Sequence, residues 1–200
     1  MQTPNKSGKI ILARCMHPKK TTMKTKHTLV QKLLLSVVLL TMPAVGLAQL
    51  VYTNSYGTWS YTTTNGADTI TGLTTFGPYG PVTIPSSING LPVTSIGFQA
   101  FYGDYSSMVS VTIPNSVTSI GGEAFSECTY LTNVLIGNSV TNIGEGVFEG
   151  CTSLKGVYFL GNAPATNVGT AVFPNISATV YYLPFTTGWG SMFGGAPTMP

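Results

Sequence analysis

Val111-Thr112-Ile113 alternates apolar and polar side chains, which predicts a short strand with one buried face. Pro114 ends it, because proline cannot donate to a strand ladder. Asn115-Ser116 turns the chain, and Val117-Thr118-Ser119-Ile120 alternates again, a second strand closed by Gly121-Gly122. From Glu123 to Cys128, Ala124, Phe125 and Cys128 fall at i, i+1 and i+4, which predicts one helical turn with a buried side. Leu131 then leads into Val134-Leu135-Ile136, and the pattern starts again.

The restarts are regular. Strand triplets begin at Val111, Val134, Val157 and Val180, each 23 residues after the last. An earlier one begins at Val82, 29 residues before Val111, so the first unit carries an insertion, placed at Asn89 to Pro92. A fixed period in this range predicts stacked coils, none of which buries its apolar side alone. The expected ladders along the stack are Val111, Val134 and Val157; Ile113, Ile136 and Phe159; Ile120 and Ile143; Phe125 and Phe148; Cys128 and Cys151; Leu131 and Leu154.

With Val111 and Ile113 facing in, the residue between them faces out. The outward column is then Thr83, Thr112, Leu135, Tyr158 and Tyr181, and it turns apolar and aromatic toward the C-terminal end. Thr112, Leu135, Tyr158 and Tyr181, with Leu160 and Leu183 nearby, form the expected binding patch, since exposed aromatics are the common anchors of interfaces. The plainer explanation is that aromatic and β-branched residues favour strands.

The ends differ from the middle. Asn65-Gly66 between alternating runs predicts a hairpin, and residues 49–81 read as an N-terminal β cap. Residues 184–200 bring Phe185, Trp189 and Phe193 in a Gly-rich stretch, read as an aromatic lid over the last coil or, alternatively, a carbohydrate platform. The repeats occupy residues 82–183.

Charge divides the chain further. Eight of its nine Lys and Arg lie before residue 49, and all six Asp and Glu lie after it. From Met23, Lys24, Lys26 and Lys32 precede the apolar run Leu33 to Leu40, then Pro43, then Gly46 and Ala48 as small residues before a cleavage point. This reads as a signal peptide over residues 23–48, cut after Ala48, with a dispensable upstream segment at 1–22. The run is shorter than the ~20 residues of a spanning helix, and no membrane insertion is expected after cleavage. The expected mature chain is secreted or on the outer cell surface. It holds one Lys, no Arg and no His, too little for a nucleic-acid or anionic-membrane patch.

The same composition removes Ser-His-Asp and Cys-His catalysis from residues 49–200. Glu123 and Glu145, and Glu127 and Glu149, fall near equivalent places in adjacent coils. Paired carboxylates raise a glycan hydrolase or a weak calcium site, and a solvated acidic edge is the reading preferred. No metal and no cofactor are expected. Cys128 and Cys151 stand in one column, as buried thiols or as a disulfide.

The segment "LTNVLIGNSVTNIGEGVFEGCTSLKGV", Leu131 to Val157, and the copy before it resemble the BspA-like class of bacterial leucine-rich repeats. The resemblance extends from about Val82 to Leu183. It departs in the first copy, where Asp104-Tyr105 replaces the Cys, and in the fourth, where "NAPATNVGTAVFPN" lacks Ile-Gly and Cys. It implies a mainly β solenoid of about four to five coils with short helical turns. It also implies a non-catalytic, adhesion-type module that binds an extracellular protein, a glycan or a surface. The alternative is a structural envelope or matrix element without a specific ligand.

Overall fold

Alternating triplets one period apart become neighbouring parallel strands in register. The computed structural model describes residues 49–76, 80–103, 108–166 and 171–200. The expected signal peptide and its cut site lie outside these, as do Asp104 and Tyr105. The strands are β1 (Leu50–Asn54), β2 (Gly57–Thr64), β3 (Ala67–Phe76), β4 (Gly80–Thr83), β5 (Ser87–Ile88), β6 (Leu91–Ile96), β7 (Met108–Ile113) and β8 (Ser119–Ile120). They continue with β9 (Asn133–Ile136), β10 (Asn142–Ile143), β11 (Gly156–Phe159), β12 (Ala165–Thr166), β13 (Thr179–Tyr182), β14 (Met192–Phe193) and β15 (Ala196–Met199).

The longer triplet strands build one sheet in the order β14-β15-β13-β11-β9-β7-β4. Val82, Val111, Val134, Val157 and Val180 stand beside one another across it. The longer first unit therefore joins in register. Its extra residues belong to a hairpin of β5 and β6 around Asn89-Gly90, both at positive φ (50° and 87°), which suits a tight two-residue turn. The second strands of each coil form another sheet, β3-β6-β8-β10-β12, extended by the antiparallel β1 and β2. The predicted hairpin at Asn65-Gly66 joins β2 to β3.

The Ile-Gly corner has a steric cause. A Cβ on Gly144 would lie 2.4 Å from the backbone nitrogen of Gly122, and one on Gly121 would lie 2.6 Å from that of Phe98. Coils approach so closely there that a side chain has no room.

The third side corrects the sequence reading. No helix occurs among the described residues, and Gly122 to Glu127 is a turn segment that Cys128 follows. Glu123 and Glu127 both take positive φ (53° and 62°), a conformation that breaks an α-helix at each end. Gln99 before them and Gly146 and Gly150 after them repeat the positive φ. The N–H groups that a helix would use internally point to the next coil instead. Glu123, Phe125 and Glu127 donate to the carbonyls of Glu145, Val147 and Glu149 at 2.7–2.9 Å. The i, i+1, i+4 spacing of apolar residues is real but marks a stacked turn.

All fourteen residues placed in ladders are buried. Phe101, Phe125, Phe148 and Phe173 stack with ring centroids 4.9, 5.6 and 5.3 Å apart and planes within 11° of parallel. Trp59 of β2 meets Phe101 edge-on at 6.3 Å. At the other end, the N–H groups of Val172 and Phe173 donate to the Gly194 carbonyl at 2.9 Å. Cys128 and Cys151 are buried thiols, not joined in a disulfide. Their Sγ atoms donate to the carbonyls of Phe101 and Phe125, one coil earlier, at 3.2 and 3.0 Å.

Candidate functional site

Strand register carries the outward column across the sheet. Thr83 pairs with Thr112, Thr112 with Leu135, Leu135 with Tyr158 and Tyr158 with Tyr181. Beyond Tyr181 the column continues to Met199 on β15. Tyr158 and Tyr181 stack with centroids 4.9 Å apart and an interplanar angle of 11°. Two residues before Tyr158 on the same face stands Gly156, whose neighbours in that column are Asn133 and Thr179. A Cβ at Gly156 would lie 2.9 Å from the Tyr158 ring, so the ring lies back over the bare backbone.

A groove of about 460 Å³ opens on this face. Of the residues expected to bind, Leu135, Tyr158, Leu160, Tyr181 and Leu183 all line it. Thr112 does not, and sits one coil earlier beside Leu135. The sequence reading missed Tyr182, Pro184 and Pro200 as lining residues, and placed Phe159, which also borders the groove, only in an inward ladder. Pro200 follows β15, whose parallel pairing with β13 has no repeat-like signature in the sequence. Every lining side chain is uncharged, and the three phenol groups are the only polar ones. That volume suits a small ligand or an anchor side chain, held by apolar contact with few hydrogen bonds.

The aromatic tail divides in two. Trp189 stacks on Tyr182 at 5.0 Å and packs against Phe159 and Phe193. Its Nε1 donates to Thr186 Oγ1 at 3.0 Å, and that hydroxyl donates to the Leu183 carbonyl at 2.6 Å. Phe185, expected in the same lid, takes no part in it and is fully exposed, at 103%. The cause is its turn. Leu183 to Thr186 closes through the Thr186 N–H and the Leu183 carbonyl, with Pro184 second and Phe185 third at φ 72°. This is the type II pattern, whose third position is suited to Gly or Asn. An aromatic there carries on the order of 1–2 kcal/mol of backbone strain.

The carboxylates sit elsewhere. None of Glu123, Glu127, Glu145 and Glu149 lines the groove. The column positions are one residue out of step with the expected pairs, because Glu123 and Glu127 share positive φ with Gly146 and Gly150 of the next coil. Glu123 Oε2 accepts a hydrogen bond from Gln99 Nε2 at 2.8 Å, and the Glu127 carboxylate lies where a Cβ of Gly150 would be. Among the described residues, no group of three or more His, Cys, Asp or Glu is placed to hold a metal ion.

Residues 82–187 match the family model described as "BspA type Leucine rich repeat region", in 6 copies. The chain belongs to this family. As a BspA-type repeat protein it is similar to a leucine-rich repeat protein from Bacteroides capillosus ATCC 29799. The two are 26% identical over 66% of this chain and 98% of that one, with a TM-score of 0.55. It is also similar to the leucine-rich repeat protein of T. pallidum, 27% identical over 63% of this chain and 69% of that one, TM-score 0.48. No curated protein matches it. The family match spans the repeats that form the groove floor, whereas β14, β15 and Pro200 lie beyond residue 187.

Proposed function

We propose that this BspA-type protein is a secreted or cell-surface, non-catalytic binding module that takes an extracellular protein or glycan on the C-terminal part of its outer sheet face. One observation carries the reading. Five of the six residues expected to form the patch converge on one groove, and two of them are tyrosines stacked on each other. Large aromatic side chains in a concave, uncharged setting are the usual anchors of recognition. The leader, basic and then apolar with small residues before Gln49, supports export.

The test compares the protein with a Tyr158→Ser, Tyr181→Ser double variant against panels of extracellular proteins and glycans, both checked for the β signature of the folded state. The reading expects a ligand bound by the parent and lost in the variant. Equal binding by both moves the site away from the groove. Among the two ligand classes, the groove's sparse hydrogen-bonding groups favour a protein, since a sugar leaves hydroxyls unpaired there.

A further inference from the structure

Phe185 combines two costs. Its backbone holds the left-handed conformation at φ 72°, and its ring is wholly in water. Of the described non-glycine residues with positive φ, the others are Asn, Gln and Glu, whose polar side chains suit water. A strained, exposed aromatic gains nothing within its own chain, and a contact outside it would offset the strain. The groove begins at the two residues before it, Leu183 and Pro184. Knob and hole thus belong to one patch.

We propose that this patch pairs with itself: two copies of the chain associate about a two-fold axis, each placing Phe185 in the other's groove. A two-fold interface needs a surface complementary to itself, and an adjacent knob and hole meet that need. Charge fits as well. Residues 49–200 hold one Lys against six Asp and Glu, a net −5, yet no lining side chain of the groove is charged, so copies meet here without facing like-charged side chains. Area sets the strength. Phe185 with the exposed parts of Tyr158, Leu183 and Met199, doubled by symmetry, covers on the order of 1,000 Å². That is the lower bound of a specific interface, and it predicts dissociation in the micromolar range or weaker. The dimer uses the groove assigned above to a partner, so the second copy shields the apolar patch until a partner displaces it.

Sedimentation equilibrium on the purified protein, from about 1 to about 300 µM, reads the association directly. The parent is expected to pass from monomer to dimer with concentration. Phe185→Gly, which suits the turn and removes the knob, is expected to weaken the dimer at least ~10-fold. Tyr158→Ser, which spoils the hole, is expected to do the same. An equimolar mixture of the two variants keeps one intact knob and hole and is expected to associate more than either alone. A parent that stays monomeric throughout, or a dimer indifferent to Phe185→Gly, overturns the proposal. A monomeric parent that still binds a ligand through Tyr158 and Tyr181 overturns the dimer while leaving the binding module intact.

Discussion

The coils from Val111 to Leu154 and the end from Gly156 to Pro200 share one register and differ in what they present to water. In the middle coils the outward positions are Thr112 and Leu135, both half-buried, and the corner turn is Asn115-Ser116. At the end they are Tyr158 and Tyr181, stacked, and the turn is Pro184-Phe185. The backbone ladder passes from one region to the other without a shift. The inward columns therefore hold the solenoid, and departures in the outward columns give one end its chemistry.

Breaking the middle is expected to have the largest effect. Phe125→Ala empties the centre of the Phe ladder, between rings 4.9 and 5.6 Å away. It is expected to cost about 3–5 kcal/mol, read as a lower urea midpoint. A loss below about 1 kcal/mol would show that the ladder repacks and that the middle is no more rigid than the end. Gly144→Ala comes next. Its Cβ meets backbone, which cannot rotate away, and a loss of about 1–3 kcal/mol is expected. Gly156→Ala sharpens the contrast, because there the obstacle is the Tyr158 ring, which can swing outward. A loss of under about 1 kcal/mol, with a changed tyrosine fluorescence, is expected from it.

Phe185→Gly has a small effect of the opposite sign. Measured at a concentration too low for association, it is expected to raise stability by about 1 kcal/mol, or a few degrees in Tm. No gain would mean that the turn holds Phe185 without strain.

Much of the fold was legible because the period is physical. Val82 to Val180, the Phe column and the Cys column each reported a ladder that the structure contains. What failed was local. Ala124, Phe125 and Cys128 have helical spacing, yet Glu123 and Glu127 adopt positive φ and hand their N–H groups to the next coil. Nothing in a single glutamate announces that. Phe185 was read with Trp189 and Phe193 because all three are aromatic. Pro184, which fixes the second position of the turn, was the clue that Phe185 would stand apart. The groove itself was half legible. Its floor follows from alternation, but Pro200 arrives through β15, a pairing outside the repeat.

The central claim is that the sheet face from Leu135 to the C-terminal end recognises a partner while the coils before Leu135 only support it. The most direct measurement is binding of the extracellular ligand to the parent, to Tyr158→Ser, Tyr181→Ser and to a Thr112→Ala control one coil beyond the groove. The account predicts loss in the double variant and unchanged affinity in the control, with all three folded. Equal affinity in all three, or loss on Thr112→Ala alone, would contradict it.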